Sequence, residues 1–128
     1  MIVQLGGIFI KSNQSKALAE WYKTVMKMPL IYTVEFNCWY ATWGHTDENH
    51  EKSYTNFSIM HSDKLFTEHK ITINLRVKNI HEFISHIQTY QVEVKEAQIY
   101  EEGIFAWLND LDGNKIELWE DINAIKQN

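Results

Sequence analysis

Glu117 stands in an alternating run, Lys115-Ile116-Glu117-Leu118-Trp119, just after the turn signal Asp112-Gly113-Asn114. A carboxylate in a strand beside a tryptophan can ligate a metal, act as a general base, or accept hydrogen bonds from a bound molecule. It can equally be a solvent-facing residue of a half-exposed strand. Arg76 is the only arginine among 12 basic residues. A guanidinium fork pairs with a carboxylate as lysine cannot, so Arg76 is either a counter-charge for Glu117 or a plain surface residue. His45, Asp47, Glu48, His50 and Glu51 crowd ligand-type side chains into the polar stretch 44–53, but without the spacing of a known metal site. Cys38 has no Cys-x-x-Cys partner and reads as a small buried hydrophobe. Neither a Ser-His-Asp order nor a phosphate-cradling glycine loop is visible.

The elements that must position these residues follow from periodicity. Residues 5–11 read as a strand, and Leu18, Tyr22 and Val25 recur at helical spacing over 16–27, a helix that Pro29 ends. Strands are expected over 30–36, 38–43 and 54–61, with polar connections at 44–53 and 62–69. The pattern then restarts. Ile71 to Val77 alternates, Asn79 and Glu82 have capping-box spacing, and a helix runs to about Thr89 with Phe83, Ile87 and Tyr90 on one face. Strands over about 92–98, 103–109 and 114–119 follow, and 120–128 is polar. A shift of about 65 residues superposes the halves: Ile8 and Ile10 on Ile73 and Leu75, and Leu18, Tyr22 and Val25 on Phe83, Ile87 and Tyr90. The expected architecture is α+β, two βαβββ modules with helices on one side and the other sheet face free.

The period of two assigns the faces. Ile8, Ile10, Ile71, Ile73, Leu75, Val77, Ile116 and Leu118 are expected under the helices. The opposite face carries Gly7, Phe9 and Lys11; Thr72, Asn74 and Arg76; Lys115, Glu117 and Trp119; and Phe105 with Trp107. Aromatic walls with a few polar groups suit a small-molecule pocket, and a half-exposed antiparallel sheet has the same composition. Trp39 and Trp43 share a strand face and line either the pocket or a dimer contact.

Composition narrows the classes. The chain has 128 residues, 45% hydrophobic and 23% charged, and fits one domain, 1–128, with module one about 1–62 and module two about 70–120. No apolar run approaches a membrane span and no signal-peptide pattern opens the chain. A single cysteine suits the cytoplasm. A net charge of −5 without a basic block argues against nucleic acid, and together with the tryptophans it fits an aromatic or cationic guest.

Two stretches carry a family resemblance. GGIFIKSNQSKALAEWYKTVMKMPL (6–30) resembles the opening strand and helix of the glyoxalase/bleomycin-resistance/extradiol-dioxygenase (vicinal oxygen chelate) superfamily. GIFAWLNDLDGNKIELWED (103–121) resembles its closing hairpin, with Leu111 where proline is usual. The middle, 37–70, resembles nothing placed. The resemblance implies a curled mixed sheet around a cavity, helices on the outer face, and a homodimer, to which the surplus of aromatic residues also points. In the family's metal enzymes one side chain from the first and last strand of each module holds a divalent ion. Here those positions fall on Gly7, on the strand 54–61 with His61 in uncertain register, on Thr72 and on Glu117. One secure ligand of four does not hold a catalytic metal, so no metal and no other cofactor is expected.

The resulting expectation is a small-molecule-binding protein like the family's drug-binding branch. Its ligand-binding residues would be Phe9, Asn74, Arg76, Phe105, Trp107, Glu117 and Trp119. The alternative is a metal-dependent lyase, isomerase or dioxygenase of the same fold, or an enzyme using Glu117 as its catalytic base. A purely structural or interaction domain is the third reading.

Overall fold

The structure, a computed structural model, describes residues 3–46 and 49–122. The element order is β1 (Gly7–Ser12), α1 (Ser15–Thr24), β2 (Ile31–Thr33), β3 (Cys38–Thr46), β4 (Lys52–His61), β5 (Thr72–Arg76), α2 (Ile80–Gln88), β6 (Lys95–Tyr100), β7 (Gly103–Asn109) and β8 (Lys115–Glu120). This is the α+β, twice-repeated βαβββ order that the sequence predicts. The chain divides into two compact units, Met1–Phe66 and Thr67–Asn128, each with its own four-stranded mixed sheet. No helix is long and apolar enough to cross a membrane among the described residues.

In unit one the sheet order is β1-β4-β3-β2, with β1 parallel to β4 and the other pairs antiparallel. Leu18, Ala19 and Tyr22 of α1 are fully buried, as three apolar residues on one stripe of an amphipathic helix should be. They face β1 and β4, where Ile10, Phe57 and Ile59 are buried, and the Tyr22 and Phe57 rings lie 5.1 Å apart. Helix α1 stops before Pro29 takes effect. Lys27 adopts a positive φ of 53°, and the Met28 N–H reaches back to the Tyr22 carbonyl at 3.0 Å.

In unit two the order is β5-β8-β7-β6, with β5 parallel to β8. Ile80 and Ile87 of α2 are buried, as are Ile73, Ala106, Leu108, Ile116 and Leu118 of the sheet. The alternation thus places Ile73, Ile116 and Leu118 as expected. Ile71 departs from it: it precedes β5 and is 73% exposed, because no strand partner extends that far. Val77 likewise lies just past β5 and is half-buried.

Three strand limits differ from the periodic reading. Strand β2 ends at Thr33, since 34–37 is a turn closed by Asn37 at φ 48° and by its Oδ1, which accepts from the Tyr32 hydroxyl at 2.7 Å. Strands β3 and β4 extend into the polar stretch 44–53, pairing as far as Thr46 with Lys52. Backbone pairing there does not need apolar side chains. Strand β6 begins only at Lys95, with an irregularity between Lys95 and Gln98.

Candidate functional site

The face of the unit-one sheet turned away from α1 is built by register. Phe9 pairs with Ser58, Tyr40 pairs with Ser58 from the other side, Cys38 pairs with Met60, and Thr42 pairs with Asn56. These side chains share one face because paired residues point the same way. With Thr33, Glu35 and Phe36 from β2 and its turn, the face bounds a cleft of about 510 Å³, lined by Phe9, Thr33, Glu35, Phe36, Cys38, Tyr40, Asn56, Ser58 and Met60. Apolar and aromatic walls around a few polar groups, in a volume of several hundred Å³, are the usual make-up of a small-molecule site. The polar groups are oriented. The Thr42 hydroxyl donates to Asn56 Oδ1 at 2.6 Å, which leaves the amide NH₂ of Asn56 as the donor end. Ser58 is only 6% exposed and lines the cleft.

The corresponding face of unit two gathers Asn74, Arg76, Phe105, Trp107, Glu117 and Trp119. Register forms two rows: Asn74, Glu117 and Trp107 in one, Arg76, Trp119 and Phe105 in the other. Both oxygens of Glu117 are engaged. Asn74 Nδ2 donates to Oε2 at 2.8 Å and Trp107 Nε1 donates to Oε1 at 3.0 Å. The Phe105 ring stacks with Trp107 and with Trp119, centroids 6.4 Å apart in each case. Trp119 Nε1 donates to the Glu102 carbonyl at 2.9 Å, which fixes the indole. Of the two readings offered for Arg76, the direct pair with Glu117 is not the one seen. Its guanidinium carbon lies 5.6 Å from the Trp119 ring centroid, and its Nη2 is 3.6 Å from Asp121 Oδ2. A second, more polar cleft of about 400 Å³ in unit two is bordered by Trp107 together with Thr72, Glu93, Lys95 and Lys115.

The register also gives the strand pairing around the positions that the resemblance assigns to metal ligands. In unit two, Thr72 pairs with Lys115, and Glu117 lies two residues further along. The same step in unit one, from the Gly7–Asn56 pair, reaches Ser58. His61 pairs with Ser12 at the far end of β4. It sits on the α1 side, with Nδ1 3.5 Å from the Ser15 hydroxyl and Nε2 3.0 Å from Asp63 Oδ1. The positions are therefore Gly7, Ser58, Thr72 and Glu117. Gly7 has no room to be a ligand-bearing residue, since a Cβ there would lie 2.7 Å from the Asn56 carbonyl oxygen. A glycine, two hydroxyls and one carboxylate do not fit a divalent catalytic ion. Among the described residues no three His, Cys, Asp or Glu side chains gather into a metal-binding group elsewhere.

Of the residues predicted to bind a ligand, Asn74, Arg76, Phe105, Trp107, Glu117 and Trp119 share the open face of unit two, and Phe9 lines the cleft of unit one. Sequence reasoning missed Phe36, and it missed Tyr40, Asn56, Ser58 and Met60, which come from the stretch that resembled nothing. The alternation Cys38-Tyr40-Thr42 was a usable signal for their face. Cys38 is buried as expected but also lines the cleft. Trp39 lies on the other side of β3 and packs on Tyr32, ring centroids 4.8 Å apart. In the ligand-rich stretch, Asp47 and Glu48 fall outside the described residues, and His45 sits in β3 with Nε2 3.3 Å from the Thr55 hydroxyl.

No family model and no curated protein sequence matches this chain. Solved structures do. A glyoxalase family protein from Bacillus anthracis superposes with a TM-score of 0.70 at 15% identity, covering 94% of this chain and 97% of that one. TnmS3, an antibiotic binding protein from Streptomyces sp. CB03234, gives 0.69 at 14% identity over 94% and 97%. Lactoylglutathione lyase from Agrobacterium tumefaciens gives 0.64 at 8% identity over 91% and 92%. With two βαβββ units in the same order, the chain has the fold of the glyoxalase/bleomycin-resistance/extradiol-dioxygenase superfamily.

Proposed function

We propose that this protein binds a small aromatic organic molecule, neutral or cationic, without the divalent ion of the family's enzymes. The observation that carries the reading is the unit-one cleft of about 510 Å³, with aromatic walls, the oriented amide of Asn56 and the hydroxyl of Ser58. Among the described residues Glu35 is the only charged one lining it, which disfavours an anionic guest. The open face of unit two, with Asn74, Arg76, Phe105, Trp107, Glu117 and Trp119, is assigned the same kind of role, contact with an organic guest. Glu117, whose oxygens both accept N–H bonds, serves there as a fixed acceptor. Support from likeness is limited to fold, but one protein of that fold is named for binding an antibiotic. The homodimer expected from the resemblance belongs to this proposal too, and a monomer mass by light scattering at high concentration would remove it.

Calorimetric titration with a panel of aromatic ketones, amines and carboxylates tests the reading. Ketones or amines should bind better than carboxylates of the same size. Tyr40→Ala should weaken binding by roughly fivefold, the loss of one aromatic contact worth about 1 kcal/mol. Failure of every compound to bind, or affinity indifferent to Tyr40→Ala, would overturn it.

A further inference from the structure

We propose that Ser15, His61 and Asp63 act as nucleophile, general base and orienting carboxylate in the cleavage of small activated carboxylic esters, on the α1 side of the unit-one sheet and away from its cleft. Ser15 Oγ lies 3.5 Å from His61 Nδ1, and His61 Nε2 lies 3.0 Å from Asp63 Oδ1. A nucleophile beside a base that a third group orients is the arrangement acyl transfer uses on unrelated folds. With Nε2–H donating to Asp63, Nδ1 keeps its lone pair for the Ser15 hydroxyl proton. Contacts of this kind are often long without substrate and tighten when it binds.

Backbone pairing holds the trio in place. Ser12 of β1 pairs with His61 of β4, and the Ser62 N–H donates to the Ser12 carbonyl at 2.9 Å. The Gln14 N–H donates to Ser12 Oγ at 3.1 Å and shapes the turn that leads into Ser15. Helix α1 supplies the donors an oxyanion needs. Its first internal bond runs from the Leu18 N–H to the Gln14 carbonyl, so the N–H groups of Ser15, Lys16 and Ala17 have no partner within the helix, and Gln14 caps none with its side chain. Ser15 is the first residue of α1, so the nucleophile and these donors share one turn, at the end of the helix dipole that favours negative charge. Ser15 is 6% exposed while the His61 side chain is half-exposed. A substrate therefore enters past the imidazole, and only a short acyl group fits against the serine.

The step needs only the ester and water. Ser15 Oγ bonds to the ester carbonyl carbon as its proton passes to His61 Nδ1, and the carbonyl electron pair becomes an oxyanion facing the helix N–H groups. The intermediate collapses, the bond to the leaving oxygen breaks, and His61 returns its proton to that oxygen. Water then repeats the sequence on the acyl-serine, which releases the acid and restores the hydroxyl. Nothing is oxidised or reduced.

Turnover of 4-nitrophenyl acetate by the full chain, with peptide mapping of the acetylated protein, tests this. The folded protein should cleave the ester faster than the urea-unfolded chain, and mapping should find an acetyl group on Ser15. Ser15→Ala should reduce cleavage to the level of the unfolded chain, and Ser15→Cys, which keeps a nucleophile in a similar volume, should still be acetylated at residue 15. His61→Ala should slow cleavage at least about tenfold, as loss of a general base requires, and added imidazole should restore part of the rate above that of imidazole alone. Asp63 is a positioning residue in open solvent; Asp63→Asn should slow cleavage only about two- to fivefold, and Asp63→Glu should recover it. Acetyl groups confined to lysines, a rate equal to that of the unfolded chain, or Ser15 acetylation undiminished in His61→Ala would each overturn the proposal. None of these outcomes bears on the cleft, whose guests are tested by direct binding.

Discussion

Glu117 is held by two neutral N–H donors, and Arg76 by Asp121 and the Trp119 face, so the two charges act separately. Removing the carboxylate strands the half-buried indole N–H of Trp107. Glu117→Ala should therefore cost about 1–2 kcal/mol, a charged hydrogen bond discounted for partial exposure. The Arg76 side chain is 60% exposed, and Arg76→Ala should cost only about 0–1 kcal/mol. Urea denaturation of the double variant should give the sum within about 0.5 kcal/mol; a strong coupling would restore the direct pair. The sequence revealed the shared face and not the pairing, for a definite reason. Alternation places Asn74, Arg76, Glu117 and Trp119 on one side whatever the register. Which residue faces Glu117 depends on the alignment of β5 with β8, and sliding it by two residues would set Arg76 opposite Glu117 without moving any side chain to the other face.

At the scale of elements, helix α2 is capped from outside its own sequence. Asn79 and Glu82 have capping-box spacing, yet Asn79 adopts a left-handed conformation, φ 52° and ψ 56°, and makes no side-chain cap. The Ile80 N–H donates instead to Glu120 Oε1 at 2.7 Å, from the end of β8. A carboxylate at a helix N-terminus also complements the helix dipole. Glu120→Ala should thus cost about 1 kcal/mol, the usual worth of a cap. Asn79→Ala should cost up to about 1–2 kcal/mol through left-handed strain, which Asn79→Gly avoids. Thermal melts of the three variants check this, and a Glu120→Ala melt like that of the wild type would return the cap to Asn79. Local spacing could not show this contact, since residue 120 is brought to residue 80 by β5–β8 pairing. The closing turn is the opposite case, legible from local chemistry. Asp110 accepts from the Asp112 and Asn114 N–H groups at 2.9 and 2.8 Å and from Asn114 Nδ2 at 2.8 Å. These bonds shape the turn without the proline that Leu111 replaces.

For the whole molecule, the twofold repeat was readable because burial imposes the same periods on both halves even where residue identity has gone. The cleft was not readable. Its walls come largely from 33–60, and two of them, Glu35 and Phe36, stand in a turn closed by a left-handed Asn37 rather than in the strand that periodicity suggested. Of the positions that the resemblance assigns to metal ligands, Gly7, Thr72 and Glu117 were legible in the sequence, and register supplied Ser58 where the sequence had left His61 open. The central claim is that an organic guest occupies the unit-one cleft, and amide chemical-shift mapping during titration with dihydrochalcone tests it most directly. The account predicts shifts concentrated at Phe9, Cys38, Tyr40, Asn56 and Ser58, and their loss in Tyr40→Ala while the rest of the spectrum stays folded. Saturating titration with no shifts at those amides, or with shifts confined to other parts of the chain, would contradict it.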